Sequence, residues 1–424
     1  MRTMLSVGGL LAVLATLGLA PFLSDDAPPI ADYVVHEWGT FTSMQGSAGG
    51  TLQGLQHEEE ELPDFVYSRA EVRACPLRDL GYKGLEVPVT GVTQKMETPV
   101  TYFYAREPVR VRARVGFEGG ILSQWFPVVE RLGPPEAKLD EGELLDLADV
   151  ERSFLEWNVD VLPIGEGLEA IPEVEADDPW SFARLPDSSV VRSAPRPAAQ
   201  PGPSESEKYL FYRGLGRFEG VLKARAMPGA VLALENTSEH AIEHLFLVHV
   251  RGGRGEFREV AGIGARETRV ASCPLAPDSG SVEEMLVELF PALEARLVDA
   301  GLNAAEARAM VLTWEQSYFH TEGLRTLYVV PRPVTDAILP LELEPRPREL
   351  ERVLVGRLEC LTPESEAEVL AALRDMRSDD PTEAARGWEV LVRLGRFREP
   401  YLRRARELAQ DPAVREFASQ MLPD

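Results

Sequence analysis

Tyr33–Ser43, YVVHEWGTFTS, reads as a β-strand whose successive side chains alternate between two faces. Tyr33, Val35, Glu37 and Phe41 share one face; Val34, His36, Trp38 and Thr40 share the other. Glu37 therefore stands among apolar neighbours, where an unpaired carboxylate is costly and titrates upward. His36 and Glu37 point in opposite directions, so adjacency does not make them one site. Two readings compete. In one, Glu37 is a buried, shifted acid, or His36 and Trp38 form a ligand platform. In the other, the polar residues are satisfied within a β core and Trp38 is packing.

Moving outward, Met44–Thr51 and the His57-Glu58 region with its four glutamates read as loop, with His57 as a ligand candidate. Val109, Val111, Ala113, Val115 and Phe117 alternate with Arg110, Arg112 and Arg114, and Gly119-Gly120 permits reversal into Ile121–Phe126. The arginines stand about 7 Å apart, twice the strand rise. Such a comb suits a carboxylated or sulfated glycan if it is unpaired, and an ordinary outer sheet face if it meets acids across the strands. Leu155, Trp157, Val159 and Val161 mark another half-buried strand, and 163–186 reads as acidic and irregular. The Pro- and Ser-rich segment 191–207 has linker composition and is the expected boundary between a β-rich domain, 28–190, and a second one, 208–361.

Within the second block, short apolar runs separated by Asn236-Thr237-Ser238 and Gly252-Gly253 suggest an antiparallel sandwich. His240, His244 and His249 invite a metal reading, but His244 and His249 differ by an odd number and face opposite sides of one strand. Ser281 with Glu284 and Asn303 with Glu306 are capping boxes, predicting an αα-hairpin over 281–320, kinked at Pro291. Glu315, His320, Glu322 and Arg325 lie where helix returns to strand, at a cleft rim or in structural ion pairs; Arg325 is a ligand candidate. From Thr362 the pattern becomes helical. The start Asp411-Pro412-Ala413-Val414-Arg415 is similar to the second helix of HEAT-type repeats, so 362–424 is expected to be a helical, HEAT-like cap.

The whole chain has 424 residues, 44% apolar and 27% charged, enough for two or three domains. A net charge of −25 excludes a nucleic-acid partner, because phosphate binding needs a basic face. Arg2 precedes the apolar run Leu5–Ala20, with no acid before Asp25. That is the pattern of a signal peptide or membrane anchor within 1–27. Gly18 and Ala20 suit cleavage after Ala20, whereas Pro21 disfavours it. The expected location is extracytoplasmic, in the periplasm or envelope, either released or held in the inner membrane by residues 5–23. Cys75, Cys273 and Cys360 admit one bridge at most, and there is no CxxC, metal-type cluster, Walker loop, GxSxG or HExxH. No metal or cofactor is expected.

HEWGTFTS at 36–43, METPVTYFY at 96–104 and TWEQSYFHTEGLRTLYVVP at 313–331 together resemble an uncharacterised group of exported bacterial proteins. The resemblance implies export and a shared β-rich fold, and it carries over no catalytic residue. The fold expected is mostly β, of α+β class: two antiparallel sandwich-like blocks, an inserted αα-hairpin and a C-terminal helical segment. The preferred function is binding or scaffolding of a protein or glycan at the cell envelope. The runner-up is a glycan hydrolase with paired carboxylates drawn from Glu37, Glu58, Glu97 and Glu315, which needs two of them within about 5–10 Å of each other. The third reading is a purely structural envelope component.

Overall fold

The computed structural model describes residues 30–57, 62–69, 89–134, 145–194 and 203–422. The N-terminal segment 1–27, Glu58, Cys75 and part of the 191–207 segment lie outside these residues. Among the described residues no helix is long and apolar enough to cross a membrane.

The opening strand, Ile30–Gln45, lies at the centre of a nine-stranded sheet. On one side it pairs in parallel with the long strand Arg346–Cys360, and on the other it pairs antiparallel with Gln94–Ala105. Beyond Arg346–Cys360 follow Gly323–Val329, Leu245–Arg251 and Arg254–Val260; beyond Gln94–Ala105 follow Tyr209–Gly216, Gly120–Phe126 and Tyr67–Ser68. The sheet thus draws strands from both sides of the 191–207 segment. That segment does not separate two sheets: its described ends, Val191–Ser193 and Ser206–Glu207, pair with each other in the six-stranded sheet, and the large sheet takes strands from before and after it.

The protein is mostly β, of α+β class, and the alternation read in the sequence sorts its core. Tyr33, Val35 and Phe41 join Val111, Ala113, Val115, Leu155, Trp157 and Val159 in one apolar cluster. This cluster fills the space between the large sheet and two smaller ones, a six-stranded sheet built on Val109–Glu118 and Arg152–Val161, and a three-stranded sheet of Leu222–Met227, Val231–Asn236 and Thr268–Ser272. Trp38, Val100, Tyr102, Phe246 and Val353 belong to a second cluster on the opposite face, with the helices Val282–Asp299 and Ala304–Trp314. The three layers are therefore small sheets, large sheet and helical hairpin.

Both predicted capping boxes are formed, and the first helix continues through Pro291. Three of the four C-terminal helices, Pro363–Asp375, Pro381–Arg393 and Pro412–Gln420, begin with proline after a capping Thr362, Asp380 or Asp411. The fourth is Arg398–Leu408. Phe397 ties this segment to the body by packing with Met44, Leu52, Leu55 and Val92. The short helix Arg332–Ile338 precedes the strand Leu341–Glu344, and Pro331 and Pro333 favour its first turn.

Candidate functional site

The three stretches 36–43, 96–104 and 313–331 meet at a single irregularity in the large sheet. Trp38 is opposite Val100 and Thr40 is opposite Glu97, so Thr98 and Pro99 together face Gly39, which makes a β-bulge. Thr98 has a φ of 51°, in the left-handed region that β-branched residues avoid. A Cβ on Gly39 would lie 2.9 Å from the Cα of Pro99, so glycine is required for this close approach. On the facing helix, Ala304–Trp314 opens into a five-residue π-helix, Glu315–Phe319.

Next to the bulge is a small, partly open cleft with an internal volume of about 30 Å³. Trp38, Thr98 and Val100 form its sheet wall, and Tyr209, Phe211 and Arg213 continue that wall on the adjacent strand. Opposite them are Thr313, Trp180 and Ala183. Asp178 also lines the cleft, but its carboxylate accepts from the backbone N–H of Trp180 at 2.7 Å and so caps the helix Pro179–Phe182. Trp180 packs against Phe211 at 4.7 Å and Tyr209 at 5.5 Å between ring centres, and its indole N–H donates to Glu207. Sequence reading missed this wall. Its signals were present: Asp178-Pro179 is a helix start inside a stretch read as irregular, and Tyr209, Phe211 and Arg213 share one face of their strand.

The sequence-derived candidates scatter around this cleft, and most are spoken for. Glu37 lies buried in the inter-sheet core. It accepts from Arg352 Nε at 2.6 Å, Tyr212 Oη at 2.5 Å and Thr101 Oγ1 at 3.1 Å. Arg352 passes a further bond to Asp336 at 2.8 Å. Burial opposes the charge of Arg352, but Glu37 outweighs it and raises the guanidinium pKa further. Glu37 is thus one half of a buried, hydrogen-bonded ion pair.

His36 lies on the other face, with Nδ1 2.9 Å from Oε2 of Glu306, which also accepts from Tyr104 Oη at 2.5 Å. Burial pulls the His36 pKa down, and Glu306 more than compensates, so the net shift is upward. His57 meets Glu399 of the C-terminal segment at 2.7 Å. Of the platform expected from His36 and Trp38, Trp38 alone reaches the cleft.

Glu97, beside the bulge, is buried and held by Thr42 Oγ1 at 2.8 Å, Tyr318 Oη at 2.6 Å and Arg396. Burial by itself pushes its carboxyl up, but Arg396, Lys95 and Arg357 outweigh that and hold it well below the usual carboxylate range. Glu315 is half-buried at the first position of the π-helix. Arg325 is fully buried, pairs with Glu359 at 3.1 Å and donates to the carbonyls of Tyr318 and Thr321. It is not at a rim.

The arginine comb is neutralised across strands. Arg110 meets Asp160 at 2.8 Å, Arg112 meets Glu344 at 2.8 Å, and Arg114 meets Glu156 at 3.1 Å while covering the Phe154 ring. Among the described residues there is no cluster of metal-ligating side chains, and His249 instead bonds the carbonyl of Cys273 at 2.8 Å. Cys273 and Cys360 are buried free thiols, each pushed up to about 12 by burial, which makes neither a nucleophile.

No family model and no curated protein matches the sequence. Among solved structures, the chain is similar to the Fcho1 Mu homology domain of Danio rerio with bound Eps15 peptide. The identity is 7% and the TM-score 0.29, over 79% of this chain and 99% of that one. It is also similar to the yeast delta-COP-I mu-homology domain complexed with Dsl1 WxWxV peptide, at 7% identity and a TM-score of 0.25, over 78% and 97%. Likenesses this low carry no argument about fold or function.

Proposed function

We propose that this is an exported binding protein of the cell envelope that takes an apolar side chain of a partner protein into the cleft beside Trp38. Export rests on the N-terminal apolar run and on the resemblance of the three quoted stretches. Binding rests on one observation, a preformed cleft walled by Trp38, Trp180, Tyr209 and Phe211 with few polar groups. All four rings are at most 5% exposed. They offer an inserted side chain a slot, and a sugar ring no flat platform. The pairing of the arginine comb with acids across the strands favours the apolar cleft over a charged-glycan surface. The hydrolase alternative draws no support from Glu37 and Glu97, which share no hydrogen-bonding partner and are each tied into an ion pair.

The test is tryptophan fluorescence and NMR of the protein titrated with capped Gly-Gly-Phe-Gly-Gly, its alanine counterpart and maltohexaose. The phenylalanine peptide is expected to perturb Trp38 and Trp180, the other two to leave them unchanged, and Ala183→Trp, which plugs the cleft, to abolish the response. Perturbation by the sugar alone, or an unaffected plugged variant, overturns the reading.

A further inference from the structure

Glu97 stands between the cleft and the C-terminal helices. Its chain neighbour Thr98 forms part of the cleft wall, and its carboxylate is gripped by three separate elements: Thr42 on the opening strand, Tyr318 on the π-helix and Arg396 just ahead of the helix Arg398–Leu408. A β-branched residue held at positive φ is strained and persists only where the surroundings impose it. Here they do so from both sides: Pro99 is pressed against Gly39, and Glu97 is anchored by its carboxylate. One of those anchors belongs to the C-terminal segment.

We propose that Glu97 is a positioning residue that couples the cleft to the seating of the C-terminal helices, so that filling the cleft and docking residues 396–408 favour each other. This rests on the cleft being a binding site. Coupling of this kind is reciprocal, because a contact that helps one event helps the other by the same factor. The C-terminal segment keeps other anchors that do not involve Glu97. Phe397 packs into its own apolar cluster, Glu399 takes bonds from Gln56 at 2.6 Å and His57 at 2.7 Å, and Glu366 takes one from Ser47 at 2.6 Å. Loss of the Glu97–Arg396 contact therefore uncouples the two regions without releasing the helices.

The experiment compares the full-length protein with Glu97→Gln and Arg396→Ala. Affinity for capped Gly-Gly-Phe-Gly-Gly and amide hydrogen exchange over 398–408 are read in the same samples, with circular dichroism confirming that the helices are retained. In the wild type the peptide is expected to slow exchange over 398–408. Each variant is expected to bind it at least about fivefold more weakly, the low end of allosteric coupling, and to show no slowing on binding. A purely structural role would lower the melting temperature but leave that slowing intact. If the peptide binds and Ala183→Trp blocks it, yet exchange over 398–408 does not respond, the coupling alone is overturned. If the wild type does not bind the peptide, the cleft reading falls and takes the coupling with it. Should either variant unfold, Glu97→Asp, which keeps the charge and shortens the reach, is read in its place with the same two criteria.

Discussion

At the scale of single residues, the polar groups of the opening strand serve the fold. Glu37 shows this most clearly: a carboxylate in an apolar run is tolerable because Arg352, Tyr212 and Thr101 converge on it. Removing one member of such a pair leaves a buried uncompensated charge, so Glu37→Ala is expected to lower stability by about 3–5 kcal/mol. Exchanging both partners, Glu37→Met with Arg352→Met, is expected to cost less than Glu37→Met alone; urea unfolding of the three variants measures this. His36 carries a pH dependence. Its folded pKa is raised above the ordinary 6.5 because Glu306 outweighs the effect of burial. The stability it contributes is therefore fully present below pH 6.5 and is lost as pH rises through the raised folded value. The stability difference between wild type and His36→Gln should shrink as pH rises above 6.5, and the His36 ring signals in NMR should titrate above 6.5.

At the scale of elements, the bulge between the opening strand and Gln94–Ala105 organises the site. An extra residue re-aims the chain, which is how Thr98 and Val100 come to line a cleft while Glu97 turns toward the π-helix. Gly39 is the residue that admits it. Gly39→Ala would push a methyl group against the backbone of Pro99, so the bulge must shift. The expected cost is about 1–3 kcal/mol, as for other overpacking, together with a displaced Trp38 indole signal in NMR. An unchanged signal with full stability would mean that the close approach does not constrain the bulge.

At the scale of the molecule, the decisive feature is that one sheet spans the chain. The opening strand's partners come from residues 94–105 and, more than three hundred residues further on, from 346–360. A fragment ending near residue 190 would leave the parallel edge of the opening strand bare and its apolar faces uncovered. Such a fragment is expected to aggregate or remain unfolded when produced alone, and to recover structure when co-produced with residues 191–424. Calorimetry of the intact protein should show the strands on either side of 191–207 melting together. Two separate transitions divided at that segment would contradict the continuity of the sheet.

The sequence by itself determined what depends on neighbours along the chain. Period-two alternation placed Tyr33, Val35 and Trp38 on their correct faces, the arginine comb was legible as a half-buried strand, and capping boxes marked both hairpin helices. What alternation cannot state is which strands become neighbours, since the same pattern pairs equally well with many edges. The single large sheet, the acids that neutralise Arg110, Arg112 and Arg114, and the partners of Glu37 were settled only by long-range pairing. The cleft arose in the same way. Trp38, Thr98, Trp180 and Phe211 are remote in sequence, and only packing of the bulged sheet against the helices, where apolar surface leaves water, brings their side chains around one space.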